Sequence, residues 1–196
     1  MPLEEAVTIP DNLITSFFTL FSQINLPIPS TFPATEAPAL ANEPILIYGA
    51  GSTVGIYAIQ LLALAGYKKI LATASPRHHE YLRSLGATDI FDYSDPDLAV
   101  KIGLAVGGNG KVSIVVDAVT SEETLTNVSK VITSEATVAL LLPIKAGSAV
   151  TNGPDEEMYW EVRQDVTPFP PSTKFLGIRT FNYRKVRNVH PQASIN

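Results

Sequence analysis

An apolar run of strand length in this 196-residue chain leads through three glycines into a helical pattern. The run covers residues 44–48, the glycines lie within residues 49–55, and the helical pattern covers residues 56–66. A strand that turns tightly into a helix points unpaired backbone N–H groups and the positive end of the helix dipole at one place, where a pyrophosphate binds well. The spacing departs from G-x-G-x-x-G, because position 54 is Val and the third glycine follows it. A plain strand-to-helix turn without a ligand therefore remains an alternative.

Strands and helices alternate through the rest of the chain. The pattern predicts strands at residues 69–74, 89–93, 112–117, 136–142 and 175–181, and helices at 79–85, 97–106 and 122–131, the last capped by Ser121. Such alternation implies βαβ crossovers, and the continuously apolar strand at 112–117 is typical of a sheet covered on both faces. We therefore predict an α/β, Rossmann-type, doubly wound and mainly parallel sheet with helices on both faces. The predicted strand order is 3-2-1-4-5-6, with the glycine turn at the carboxyl edge of a central strand.

The two ends of the chain differ from this alternating part. Residues 13–21 form an apolar helical pattern that is aromatic nearly all round, so the helix must be buried against something larger. The proline-rich stretch at 25–41 predicts an extended surface loop, and residues 155–162 favour a short helix after a turn at 151–154. We divide the chain into an N-terminal helix and loop at a domain junction (1–43), a Rossmann domain (44–181) and a polar, poorly ordered tail (182–196).

Composition excludes several classes of function. A net charge of −5 without a long basic stripe argues against nucleic acid as a partner. The absence of cysteine excludes disulfides and thiolate zinc sites, and the three histidines lack metal-ligand spacing, so no metal is predicted. No run reaches 18 apolar residues, and the N-terminus lacks a signal pattern. We expect a soluble, cytoplasmic protein that contacts no membrane.

Several motifs together resemble the medium-chain dehydrogenase/reductase superfamily. They occur at residues 4–10, around Thr15, and at 48–55, 58–61, 72–77 and 85–87. The similarity covers about residues 3 to 180. It is greatest to the zinc-free branch of quinone oxidoreductases and fungal enoyl reductases, which includes the trans-acting enoyl reductases of polyketide pathways. In that branch the turn often reads Gly-Gly-Ser-Ser-x-Val-Gly, so the late Gly55 is usual there.

The resemblance implies an NADP(H) cofactor held by the glycine turn. The predicted contacts of that turn are Gly49, Gly51, Ser52, Thr53, Val54 and Gly55. NAD-specific sites place a carboxylate at the end of the second strand to accept from the ribose 2′-hydroxyl. Here Ser75 and Arg77 follow that strand, and they suit a 2′-phosphate instead. In related NADP enzymes a tyrosine after the third strand also reaches the phosphate, and Tyr93 matches it. The alternative is that Ser75 caps the next helix and that Arg77 is solvated.

The same resemblance places four further residues near the nicotinamide ribose and ring: Thr15, Asp117, Val119 and Leu141. The reaction it implies is hydride transfer from NADPH to an activated C=C bond or a quinone, with a small-molecule substrate. No catalytic acid stands out, since Tyr48, Tyr57 and Tyr183 are candidates by residue type alone.

Full-length members of the superfamily carry a GroES-like catalytic domain before the cofactor domain, and this chain begins where that domain ends. We therefore expect a detached cofactor domain that is weakly active or inactive alone. An apolar patch formed by Phe17, Phe18, Phe21 and the proline-rich loop to Ala41 would then promote self-association, as a homodimer, or binding of a partner that supplies the missing wall. The alternatives are that the helix folds back and buries its own aromatics, or that the chain is a non-catalytic nucleotide-binding or interaction domain. A methyltransferase normally needs an acidic residue at the end of the second strand, which is absent here.

Overall fold

The computed structural model describes residues 9–148 and 157–180. Its helices are α1 (Ile9–Phe17), α2 (Thr53–Leu64), α3 (His79–Ser84), α4 (Leu98–Val106) and α5 (Glu122–Ser129). Its strands are β1 (Ile45–Tyr48), β2 (Ile70–Thr73), β3 (Asp89–Phe91), β4 (Val112–Asp117), β5 (Ile132–Leu140), β6 (Ile144–Lys145), β7 (Met158–Tyr159) and β8 (Lys174–Gly177). The tail at 182–196 and the turn at 151–154 lie outside the described residues, so the predictions for them stand as predictions.

Six of the strands form one parallel sheet in the order β3-β2-β1-β4-β5-β8. The central strand β1 pairs with β2 on one side and with β4 on the other, so that Tyr48 lies opposite Thr73 and Asp117. This confirms the predicted Rossmann-type order. Because parallel strands end at a common edge, the segments that follow β1 to β5 and β8 all emerge on one side of the sheet.

The alternation of side chains along β1 builds a core on each face of the sheet. Ile45 and Ile47 pack into one cluster with helix α2, while Leu46 and Tyr48 pack into the other with helices α4 and α5. All four residues of β1 are buried. A strand that is apolar on both faces needs helices on both faces, which explains the continuous apolar run in the sequence.

The N-terminal aromatic helix folds back onto the sheet. Helix α1 continues as a π-helix, Phe18–Gln23, that buries Phe18 and Phe21 in the same core cluster as helix α2. The prediction that all three aromatics are exposed is therefore wrong for two of them. Phe17 keeps 40% of its surface exposed, and Phe32 of the proline-rich loop keeps 41%. Self-association or binding of a partner therefore stays a prediction.

A short antiparallel hairpin replaces the helix predicted around residues 155–162. Strand β6 pairs with β7, with Ile144 opposite Tyr159. Glu122, at the start of α5, anchors the hairpin: its carboxylate accepts from the Tyr159 hydroxyl and from the Gly147 N–H, each at 2.7 Å. These two hydrogen bonds hold the pKa of Glu122 below its usual range. The hairpin thus lies beside the edge of the sheet at which the loops emerge.

Candidate nucleotide-binding site

The glycine turn joins β1 to α2 through a backbone that excludes larger residues. Gly49 has a φ of +78°, and a Cβ built on it would lie 2.4 Å from the Val119 side chain. A Cβ on Gly55 would lie 2.7 Å from the Ala50 Cα. The first glycine therefore allows the turn, while the last allows α2 to pack directly against it.

The turn is held in place from two sides. The Gly49 N–H donates to the Thr73 hydroxyl at 3.1 Å, and the Ala50 N–H donates to the Thr73 carbonyl at 2.8 Å. Ser52 caps α2, because its hydroxyl accepts from the Gly55 N–H at 3.1 Å. Helix geometry gives the N–H groups of Thr53 and Val54 no carbonyl partner within the helix. The turn therefore presents donors and a helix dipole to a ligand.

A first cavity of about 350 Å³ opens on one side of the turn. It lies at the carboxyl ends of β1 to β4 and is lined by Tyr48, Gly49, Gly51, Ser52, Ala74, Ser75, Arg77, His78, Tyr93, Val119, Glu123 and Thr124. Ser75, Arg77 and Tyr93 were predicted from the sequence to act together, and the fold brings all three into this cavity. The Ser75 hydroxyl donates to the Tyr93 hydroxyl at 3.3 Å.

His78 is a lining residue that the sequence interpretation left aside as one of three scattered histidines. Its Nε2 accepts from the Arg77 Nε–H at 3.1 Å. A Cβ on Gly51 would lie 3.2 Å from the His78 ring, so the imidazole sits over the glycine turn. One local signal could have identified His78. It follows Arg77 directly after the second strand, and side chains at that place lie near the glycine turn.

Glu123 and Thr124 enter the first cavity from the start of α5, and they too were not predicted. They follow β4, whose carboxyl end adjoins that of β1, so only the strand order links them to the glycine turn. Tyr48 lines the cavity as well, and burial raises its pKa to about 12 although the Asn127 amide donates to its hydroxyl. Such a hydroxyl stays protonated at neutral pH and is a poor proton donor.

A second cavity of about 320 Å³ lies on the other side of the turn. It is lined by Asp11, Asn12, Thr15, Ser52, Thr53, Val54, Ala118, Leu141, Leu142 and Thr180. Of the predicted contacts, Thr15, Thr53, Val54 and Leu141 are here. Ser52 belongs to both cavities, which therefore meet at the cap of α2.

Helix α1 is fixed against the second cavity by two hydrogen bonds. The Ser16 hydroxyl donates to the Val54 carbonyl at 2.8 Å, and the hydroxyls of Thr15 and Thr180 are 3.0 Å apart. Thr15 is thereby held between α2 and the segment that follows β8. Thr15, predicted to approach the nicotinamide, thus lines the second cavity, and its contact with the cofactor stays a prediction.

Two predicted contacts, Asp117 and Gly55, line neither cavity. Gly55 is covered by the backbone of the turn. Asp117 is fully buried, and its carboxylate accepts from the N–H groups of Val119 and Thr120, each at 2.9 Å, and from the Thr124 hydroxyl at 2.6 Å. Burial raises the pKa of this carboxyl, while the three donors oppose the rise. Asp117 thus shapes the turn at 118–120, whose first two residues line one cavity each.

A third cavity of about 400 Å³ adjoins the second. The two share Asp11, Leu141, Leu142 and Thr180, and the third adds Ile14, Pro143, Trp160, Ile178 and Arg179. The Arg179 guanidinium lies 4.8 Å from the centre of the Trp160 ring. Of the residues predicted from the sequence, only Leu141 lines this cavity, because its other parts come from α1, the hairpin and the end of β8.

Comparisons with known proteins agree with this geometry. The family described as "Zinc-binding dehydrogenase" matches residues 53–142. The trans-enoyl reductase TwmE of Talaromyces wortmannii is 48% identical over 81 residues, which cover 40% of this chain and 22% of that protein. The dual trans-enoyl reductase/FAD-dependent monooxygenase tazHJ of Aspergillus terreus is 37% identical over 146 residues, 74% of this chain and 20% of that protein.

The chain belongs to the medium-chain dehydrogenase/reductase superfamily. The described residues form its nucleotide-binding domain, and members of the superfamily depend on a nicotinamide dinucleotide. Each match spans only 20% to 37% of the length of the curated relatives.

Solved structures share the fold of this medium-chain reductase domain. The CurK enoyl reductase superposes with a TM-score of 0.68 at 22% identity, covering 95% of this chain and 47% of that one. The quinone oxidoreductase of Pseudomonas syringae pv. Tomato DC3000 gives a TM-score of 0.66 at 20% identity, covering 94% of this chain and 49% of that one. Across residues 9–148 and 157–180, no helix is long and apolar enough to cross a membrane, and no group of three or more His, Cys, Asp or Glu could hold a metal.

The described residues of the medium-chain reductase domain fit a nicotinamide dinucleotide. Such a molecule has two nucleoside halves joined by a pyrophosphate, and here two cavities of similar volume meet at a glycine turn. The turn is the place where a pyrophosphate belongs, and Gly51 leaves space on it that a Cβ would reduce.

Proposed function

We propose that this domain binds NADP(H) in preference to NAD(H), with the adenosine half in the first cavity and the nicotinamide half in the second. The observation that carries the proposal is the meeting of Ser75, Arg77 and Tyr93 in the first cavity. A 2′-phosphate carries negative charge and oxygen acceptors, which a guanidinium and two hydroxyls can bind.

The charge around the first cavity supports the same preference. A carboxylate at the end of β2 would accept from a ribose 2′-hydroxyl and repel a phosphate, and the residues there are Ala74 and Ser75 instead. Within the described part of the chain, the acidic residue that lines this cavity is Glu123, which comes from α5 rather than from the end of β2. The predicted phosphate contacts that follow β2, Ser75 and Arg77, are therefore neutral and cationic.

The nicotinamide end would lie among Thr15, Val54 and Leu141. When bound, the reduced nicotinamide supplies a hydride. The residues of this chain would orient the ring between α1 and the end of β5 and exclude water from one face of it. We propose that the whole protein transfers hydride to an activated C=C bond or a quinone, since relatives bear the names enoyl reductase and quinone oxidoreductase. Reduction by residues 1–196 alone is expected to be weak, because no described lining residue is a poised acid.

Calorimetric titration of the purified chain with NADPH and with NADH tests the cofactor preference. We expect NADPH to bind more tightly. Arg77→Ala should weaken NADPH binding by roughly 5- to 150-fold, which corresponds to a lost charge-assisted contact of about 1–3 kcal/mol, and should leave NADH binding unchanged.

Arg83→Ala is the matched control. Arg83 is an exposed arginine in the last turn of α3, close in sequence to Arg77 but outside the first cavity. Equal affinity for the two cofactors, or the same loss with Arg83→Ala as with Arg77→Ala, would contradict the proposal. Tighter binding of S-adenosylmethionine than of either cofactor would instead favour a methyltransferase.

A further inference from the structure

The third cavity has a lining that suits a neutral, apolar ligand. Ile14, Leu142 and Trp160 leave 37%, 49% and 53% of their surfaces exposed around it. Among the described residues, its charged lining consists of one acid, Asp11, and one base, Arg179, so their formal charges cancel. An anionic ligand would therefore gain little electrostatic attraction from the lining, whereas a ligand with apolar atoms would bury the exposed apolar side chains.

The third cavity adjoins the second, and the two share four lining residues, which include Leu141, Leu142 and Thr180. A group that accepts hydride must contact the nicotinamide ring, which the proposed function places in the second cavity. The rest of such a substrate must leave past these shared residues. The third cavity, which these shared residues border, is the apolar exit through which the rest of the substrate extends.

Trp160 forms the outer wall of this exit. The guanidinium of Arg179, 4.8 Å from the ring centre, covers one face of the indole in a cation–π contact. Glu122 holds the hairpin that carries Trp160 through the neighbouring Tyr159. The indole is therefore supported from its own strand and from the segment after β8.

We propose that the third cavity binds the apolar tail of an unsaturated acyl substrate and that Trp160 determines the length of tail that is accepted. This inference rests on the proposed function, because the nicotinamide position defines where the reacting C=C bond lies. It names the part of the substrate that this domain recognises, and the residue that does so.

The sequence holds a single tryptophan, so intrinsic tryptophan emission reports on the third cavity alone. The chain is first titrated with NADP⁺ by calorimetry, without any thioester. At saturating NADP⁺, which cannot reduce the substrate, it is then titrated with N-acetylcysteamine thioesters of trans-2-butenoic, trans-2-hexenoic and trans-2-decenoic acid. We expect a blue shift of the emission and an affinity that rises by up to about fourfold for each methylene that becomes buried.

Two variants test the role of the indole, with thioester binding measured by calorimetry. Trp160→Ala should bring the affinity for the decenoyl thioester close to that for the butenoyl thioester, while Trp160→Phe should keep most of the length dependence. Met158→Ala is the matched control, because Met158 lies on the same hairpin, is 58% exposed and does not line the third cavity. NADP⁺ affinity should be equal in all three variants.

The outcomes separate this inference from the proposed function. Normal NADP⁺ binding with thioester affinity that is independent of chain length, or unchanged in Trp160→Ala, would overturn the acyl-tail inference and leave the proposed function standing. An emission shift caused by N-acetylcysteamine alone would also overturn it, since the thioester arm would then occupy the cavity. Absence of NADP⁺ binding would overturn the proposed function.

Discussion

Gly55 offers a direct test of how the glycine turn is built. A Cβ there would lie 2.7 Å from the Ala50 Cα, 2.9 Å from the Ala50 carbonyl oxygen and 2.9 Å from the Gly49 carbonyl oxygen. All three neighbours are backbone atoms, so no side chain can turn away to make room. We therefore expect Gly55→Ala to displace the start of α2 from the turn.

The size of this effect follows from the contacts. Moving the closest pair from 2.7 Å to an ordinary contact of 3.4 Å requires a displacement of about 0.7 Å in a close-packed region. Overpacking of this kind costs typically about 1–3 kcal/mol. For a chain of this length, that is a fall of roughly 2–12 °C in Tm. Because the same shift moves the Ser52 cap and the N–H groups of Thr53 and Val54, NADPH affinity should fall as well.

Urea unfolding monitored by circular dichroism measures the change in the free energy of unfolding, and calorimetry measures NADPH binding. The matched control is Gly177→Ala at the end of β8, where a Cβ would meet nothing within 4 Å. Since alanine is no worse than glycine in a strand, this control should be neutral or slightly stabilising. If Gly55→Ala unfolds at the same urea concentration as Gly177→Ala and binds NADPH normally, close packing of the turn on α2 is refuted.

Two further predictions concern buried ionisable groups. Asp117→Ala should destabilise the fold by about 1–3 kcal/mol for each N–H group that loses its acceptor, those of Val119 and Thr120, whereas Asp117→Asn should cost less. Burial raises the pKa of Asp117 in the folded state, so the stability that its protonated carboxyl contributes is lost as the pH rises above 3.8, the ordinary value. Asp117→Asn has no such ionisation, so its urea midpoint should improve relative to that of the parent chain as the pH rises. Tyr48, whose pKa is raised from 10.0 to about 12, should ionise late in an alkaline absorbance titration and add to the loss of stability above pH 10. The pKa values of Tyr67 and Tyr159 are also raised to about 12, so Tyr48→Phe should remove only its own share of the late amplitude. A late amplitude that is unchanged in the variant would contradict the assignment.

The sheet could be predicted from sequence because its signals are local. The apolar run of β1, the glycines after it and the continuously apolar β4 each report their own structure within a few residues. Ser121 was recognised as a cap, and the structure shows its hydroxyl accepting from the Thr124 N–H at 3.2 Å. The strand order then follows from the general handedness and connectivity of βαβ units.

The features that sequence reasoning missed are those set by tertiary contacts. Strands β6 and β7 have two residues each, too few for any periodicity to show. Hydrophobic periodicity distinguishes α-helices from strands and does not reveal a π-helix. The prediction that Phe18 and Phe21 are exposed was therefore wrong. Glu123 enters the first cavity only because β4 pairs with β1, which no local pattern contains.

The hairpin has a consequence for how this fold could change its substrate. Strands β5 and β8 pair directly, from Thr137 opposite Lys174 to Leu140 opposite Gly177, so the sheet does not depend on the length of chain between them. Near each end of that connecting chain, one side chain is buried in the core: Ile144 at the start and Phe169 towards the end. The segment between these two residues can therefore be replaced as a unit. Such a replacement would change the lining of the third cavity, while the strands and the glycine turn that form the nucleotide-binding site keep their arrangement.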